Sequence, residues 1–494
     1  MRYLNVFPVC LLMVSGVVSG DEWPGFLGDG GNRAAVDGVV DEFGKGKNVK
    51  WRVDVPVGHS SPCVAGGKIF LTAAEAGGRV LKMMAMDVGD GSLVWERTVE
   101  GEVESDYGHR AAQPAMSTAC TDGERVFFYF GGYGLVACAA GDGEVLWEKR
   151  FGFEPQMFGT GVSPVLADGA VVLARDGGKD PAVWCFEGGD GAVRWKVPRP
   201  GFGVTYGSPY VWKNKVRAEV VVGGSTSLRS YALEDGAPLW SVADTCGFPC
   251  TTPVGDAERL YFAAWATINA EGEERAKASF WGDIEISDEE MADPEKFFAR
   301  FDPNGDGKVY EEELGDSRAK DAFNFVDRNR DGYWVYEEYR PMHVMPAMAG
   351  KNIMVAVEAG HDGELSRGGG VAWTWDESLP YVASPLLLNG RVYLVKSGGL
   401  ISCVDAATGE AFYEGERIGM SGEYYATPVA AGGKVLICSE RGFVFVLEDG
   451  KELKVLVKNK LGEKLYATPA VAGGVLYIRT ERGLWAIGED QRSD

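Results

Sequence analysis

The sequence predicts an all-β fold, an eight-bladed β-propeller closed by its own N-terminal strand, with a small α-helical EF-hand insertion in blade five. Three observations predict it. A motif of four short strands recurs along most of the chain, the last copy lacks a strand that the N-terminus can supply, and one interval between copies is about three times too long.

Each copy opens with a Ser/Thr-Pro or similar pair leading into an apolar strand. A Gly-containing turn and a second apolar strand follow, then a third strand ending near an acidic turn, and a Gly-x-x-x-Trp that sets an aromatic on the fourth. The opening prolines are Pro62, Pro114, Pro164, Pro209, Pro253, Pro385, Pro428 and Pro469, about 41 to 52 residues apart except for one gap of about 132. The fourth-strand aromatics are Trp95, Trp147, Trp195 and Trp240, with Tyr413 at the matching place after Gly409. Cys185 and Cys403 fall where other copies carry Ala85 and Ala356, so they read as small packing residues. Cys246 and Cys250 are close enough in sequence to form a local disulfide.

Closure is read from the ends. The last copy stops after Leu484-Trp485-Ala486-Ile487 without a fourth strand, while Val49-Lys50-Trp51-Arg52-Val53 precedes the first opening proline and carries the missing Trp. Pairing the two removes edge strands that an open ring would expose.

The long interval holds the insertion, between the second and third strands of blade five. The organisation expected is a signal peptide over 1–20, propeller over 21–266, an EF-hand pair over 267–350, and propeller again over 351–494. Asp302, Asn304, Asp306, Lys308 and Glu313 stand at positions 1, 3, 5, 7 and 12 of one twelve-residue loop, and Asp327, Asn329, Asp331, Tyr333 and Glu338 at those of a second. Calcium takes six to eight oxygens, and this spacing wraps them round one ion, with Gly307 or Gly332 making the sharp turn. Position 7 gives only its carbonyl, so Lys308 and Tyr333 are acceptable there. Asp293-Pro294 starts a helix with Phe297, Phe298 and Phe301 on its apolar face, Phe323 and Val326 serve the same purpose before the second loop, and Val309 and Trp334 are expected to pair between loops. Two Ca²⁺ ions are the expected cofactors, acting as a structural clamp. The strand-two-to-three and strand-four-to-one connections of a blade emerge on one face, so the insertion should overhang the channel mouth.

At the N-terminus, Arg2, the apolar run Leu4 to Val18 and Val18-Ser19-Gly20 read as a cleavable signal peptide, too short to span a membrane. Cys10 follows Phe7-Pro8-Val9, a poor lipobox. The expected location is periplasmic or secreted, with no transmembrane segment. A net charge of −23 argues against nucleic acid.

Just before the opening prolines stand His59, Tyr206, Tyr381, Tyr425 and Tyr466, with His109, Arg110 and Tyr424 nearby. They form a possible ring of ligand-stacking groups at the channel mouth, or they only wedge blades together.

The repeat, seen as Cys403-Val404-Asp405-Ala406-Ala407-Thr408-Gly409, resembles the pyrroloquinoline-quinone (PQQ)-like repeat of quinoprotein alcohol dehydrogenases and BamB-like assembly lipoproteins. Trp23-Pro24-Gly25-Phe26 and the run from Leu379 to Gly488 are similar to exported bacterial proteins of that kind. The resemblance implies a propeller that binds a protein or glycan partner, or alternatively a quinoprotein dehydrogenase of alcohols or sugars. Such enzymes stack PQQ between a Trp and a vicinal disulfide and use an Asp base. No vicinal cysteines stand here and no Asp can be matched, so PQQ is not expected, no catalytic residue is assigned, and a binding role is favoured over an enzymatic one.

Overall fold

The computed structural model describes residues 20–489, apart from 29, 32–38, 103–108, 110, 153–157, 178–179, 201, 204, 267–283, 285–286, 288, 291–292, 316, 322, 328–329, 337 and 340–349. The expected signal peptide, Arg110 and Asn329 lie outside the described residues.

Eight antiparallel sheets make the wheel. Blade 1, for example, runs Cys63–Ala65, Lys68–Glu75, Val80–Asp87 and Leu93–Glu100 from axis to rim. The inner strands of successive blades lie side by side, and Ala470–Ala472 of blade 8 meets Cys63–Ala65 of blade 1 to complete the circle. The inner and middle strands are buried on both faces and the outer strands are mostly exposed, so the cores are sandwiched between neighbouring blades. Closure occurs as expected: Val49–Asp54 pairs antiparallel with Gly483–Ile487, with Trp51 opposite Ala486.

A closed chain of hydrogen bonds encircles the axis. Each opening Ser or Thr accepts, on its hydroxyl, the backbone N–H of the corresponding residue one blade back. The order is Ser61, Thr118, Ser163, Ser208, Thr252, Ser384, Thr427, Thr468 and back to Ser61, at 2.9–3.0 Å throughout. This places the opening of blade 2 at Thr118-Ala119, not at Pro114, which stands earlier in the lead-in loop. Proline marks the position elsewhere because its N–H is not needed there.

The Gly-x-x-x-Trp spacing has a matching cause. The indole N–H of Trp51, Trp95, Trp147, Trp195 and Trp373 donates to a carbonyl of the next blade at 2.9–3.2 Å. Each indole also lies under a turn glycine of that blade. A Cβ on Gly143 would sit 2.6 Å from Trp95, and its φ of +76° already favours glycine. Opposite the aromatic stands a small residue: Ala85 faces Trp95, Cys185 faces Trp195, Ala356 faces Trp373 and Cys403 faces Tyr413. Cys246 and Cys250 are free thiols, so the possible local disulfide is not formed.

Blade 4 departs from this rule. Trp240 donates instead to buried Glu219 of its own blade at 2.6 Å, while Gly363–Glu364, from the long connection in blade 5, adds a parallel strand beside Pro238–Val242. A comparable parallel bridge joins Gly44 to Lys460 at the rim of blade 7. On the rims of blades 1 to 3, Leu93, Val94, Val145, Leu146 and Val193 are exposed by 43–52%.

The insertion leaves blade 5 after Ala264 and returns at Ile353, residues paired with each other at the channel end of their strands. Asn352 closes its neck through two bonds to the Ala266 backbone, at 2.8 and 2.9 Å. It contains the helix Pro294–Ala299, capped by Asp293, and shorter helical turns at Glu311–Leu314, Arg318–Asp321 and Phe323–Val326. Phe297, Phe298, Leu314, Phe323 and Trp334 form a core of its own.

Candidate functional site: an aromatic cavity at the channel mouth

The lead-in loops converge on a cavity of about 150 Å³ lined by His59, Tyr206, Tyr381, Tyr425 and Tyr466, together with His109, Phe158, Met116 and Phe26. The structure thus brings the five sequence-selected residues to one place. Tyr424 goes elsewhere: it is buried, its hydroxyl donating to the Met420 carbonyl at 2.8 Å.

The rings form an arc. His59 stacks on Tyr466 with centroids 4.1 Å apart, Tyr466 on Tyr425 at 5.7 Å, and His109 meets Tyr425 and Phe158 edge-on at 6.1 Å. Phe158 in turn meets Tyr206 at 5.5 Å. Across the mouth, Tyr381 stands perpendicular to Trp265 at the neck of the insertion, 5.6 Å away.

Two buried arginines hold the loops that carry this arc. Arg479, at the end of a blade 8 strand, donates to the carbonyls of Pro56, Ser60 and Thr72 at 2.8–3.2 Å, and so clamps the loop bearing His59. The fit leaves no space for a side chain at residue 58, where a Cβ would lie 2.5 Å from the guanidinium. Arg199 pairs with Asp176 at 2.9 Å, both side chains fully buried, and Thr205 Oγ1 donates to the same carboxylate, anchoring the loop that carries Tyr206. Neither arginine carries a motif in the sequence, because each acts through contacts between distant segments.

Burial sets the protonation of the walls. Desolvation and the Arg479 charge lower the His59 pKa to about 4, so its imidazole is neutral near pH 7. Desolvation raises the phenols of Tyr206, Tyr381 and Tyr466 above their ordinary value, keeping them protonated. Tyr466 donates to Glu440 at 3.2 Å. No Asp, Glu, Lys or Arg is among the described lining residues. A tricarboxylate quinone would need cationic partners and a Trp or vicinal-cysteine platform, and the described lining residues include neither.

In the two acidic loops the carboxylates accept backbone N–H bonds from their own turns. In the first, Asp302 accepts N–H groups from Gly305, Asp306 and Gly307 at 2.8–3.2 Å, and Glu313 accepts from Tyr310 at 2.8 Å. In the second, Asp327 accepts from Asp331 and Gly332 at 3.0–3.1 Å, and Glu338 from Val335 at 3.2 Å. Val309 and Trp334 exchange backbone bonds between the loops. Among the described residues no three His, Cys, Asp or Glu side chains converge as a metal cluster. Such loops draw part of their oxygens from Asn and backbone carbonyls.

Comparison with known proteins agrees with this architecture. The family described as outer membrane protein assembly factor BamB matches residues 44–156 and 150–261. No curated protein matches the chain. Among solved structures, BamB from Moraxella catarrhalis is similar with a TM-score of 0.50 at 11% identity, covering 90% of this chain and 99% of that one. The quinohemoprotein alcohol dehydrogenase of Comamonas testosteroni gives 0.58 at 10% identity over 96% of this chain and 82% of that one. The computationally designed Ika8 protein gives 0.52 at 9%, covering 90% and 100%. At such identities the likeness is one of fold. The family match thus spans residues 44–261, and the eight sheets share the β-propeller fold of these structures.

Proposed function

We propose that this protein is an exported, calcium-binding propeller that works by binding a protein partner and not by catalysis. One observation carries the reading. The rims of three consecutive blades present exposed aliphatic residues on their outer strands, whereas the chain lays its own Gly363–Glu364 strand along the rim of blade 4. Exposed apolar edges of this kind are docking surfaces for an added strand. The BamB family match fits a scaffolding role.

The domain plan read from sequence belongs to the same proposal: 1–20 as the export signal, 267–350 as the calcium unit. Asp302, Asn304, Asp306 and Glu313 would hold one ion with the Lys308 carbonyl, and Asp327, Asn329, Asp331 and Glu338 the other with the Tyr333 carbonyl. Among the described residues no helix is long and apolar enough to cross a membrane.

The calcium and the partner are tested separately. EGTA should lower the melting temperature, and calorimetry should count two calcium ions; an unchanged melt with no calcium uptake defeats the calcium assignment. Capture of a discrete envelope protein should be lost in the Leu93→Glu/Leu146→Glu double variant with its melt preserved. Capture indifferent to the rim, alongside specific signals on a glycan array, would move the partner to carbohydrate.

A further inference from the structure

The segment that opens with Trp23 does more than precede the wheel. Trp23 exchanges two backbone bonds of 2.8 Å with Val64 of blade 1, and the Pro24 carbonyl accepts from Thr121 of blade 2 at 3.0 Å. Leu27 is buried with Val254 of blade 5 and Leu387 of blade 6, and Gly30 lies against the Tyr210 ring of blade 4. A stretch this short reaches inner strands of five blades only by crossing the axis. Gly28, at φ +65°, folds back over the Trp23 indole, where a Cβ would come within 3.0 Å. Phe26 is the only described residue of this crossing segment that lines the aromatic cavity, among the hydroxyls of the Ser/Thr ring.

We propose that the cavity is a site for a small molecule with one uncharged, hydroxylated aromatic ring, a phenol, with Phe26 lining it and His59 Nε2 accepting its hydroxyl. Size, wall chemistry and polarity point the same way. About 150 Å³ is the volume in which an engineered apolar protein cavity holds benzene. Stacked and edge-on rings make walls suited to another ring. His59 Nδ1 lies 2.9 Å from the Ala111 carbonyl, which can only accept, so Nδ1 carries the hydrogen and a neutral ring leaves Nε2 as an acceptor. No charged side chain among the described lining residues would pair a carboxylate or ammonium group.

The inference rests on the protein being a binder, and its test is independent of the rim and of calcium. Full-length protein is titrated calorimetrically with phenol, toluene, benzoate and 1-naphthol. Phenol should bind about five- to tenfold more tightly than toluene, the margin of one hydrogen bond, with benzoate and 1-naphthol silent. His59→Phe, which keeps a ring against Tyr466, should equalise phenol and toluene. Phe26→Ala, checked for an intact melt, should admit 1-naphthol. Absence of phenol binding at millimolar concentration, equal affinity for toluene, or uptake of benzoate or 1-naphthol by the unaltered protein overturns the proposal. Rim-dependent capture and the EGTA-sensitive melt would stand in that event.

Discussion

Arg479 and His59 show how one buried group governs another. The guanidinium is fully buried and held by backbone carbonyls, so its charge and the surrounding desolvation both oppose a proton on His59. The sign of the pH effect follows. His59 titrates near 6.5 when unfolded and near 4 when folded, so the unfolded chain binds more protons between those values. Stability from this group is complete above about pH 6.5 and declines as pH falls toward 4, by up to about 3 kcal/mol. Chemical denaturation at pH 7 and pH 4.5 should show this loss in the wild type and a smaller one in His59→Phe. Arg479→Met should cost about 2–4 kcal/mol by stranding the carbonyls of Pro56, Ser60 and Thr72, seen as an earlier denaturation midpoint. The histidine was legible in the sequence by its place before an opening proline. The arginine was not, since its partners are about 400 residues away along the chain.

Among the elements, the fourth strand and the turn it meets form the repeating joint. An indole donates across the blade boundary while a glycine with positive φ makes room for it, which is why the two residue types recur at fixed spacing. Gly143→Ala combines a strained backbone with a contact of 2.6 Å to Trp95 and should destabilise by about 2–4 kcal/mol, read as a lower melting temperature. Gly46→Ala, with open space around it, should lose only about 1 kcal/mol from its positive φ. The joint at blade 4 shows where the repeat stops being a guide. Trp240 obeys the spacing, yet the long 359–369 connection of blade 5 runs along the rim, and Glu219 serves as the acceptor instead. Similarly, Pro114 imitates an opening pair that the hydroxyl circle assigns to Thr118.

For the molecule as a whole, the N-terminus does three separate tasks. It crosses the channel, meets the rim of blade 7 at Gly44 and supplies the outer strand of blade 8. Stability should therefore depend on a segment that precedes the first complete blade. Trp51→Ala removes the indole bond to Val88 and the packing on Tyr477, and should cost about 2–4 kcal/mol. A chain beginning at residue 56 would leave Gly483–Ile487 as an unpaired apolar edge, so light scattering should report aggregation that the full chain does not show.

The blade count, the closing strand, the small residue opposite each aromatic and the place of the insertion were all determined by the sequence, because each depends on short-range periodicity or on spacing between copies. The proposed calcium loops are a sequence reading for the same reason, their expected ligand types lying within twelve consecutive residues. Tertiary structure alone decided which hydroxyls close the ring, which arginines clamp the mouth, and that Phe26 lines the cavity there. Those features join residues separated by tens to hundreds of positions, where chain order says nothing of proximity and only the geometry of the closed wheel brings the groups within a bond length.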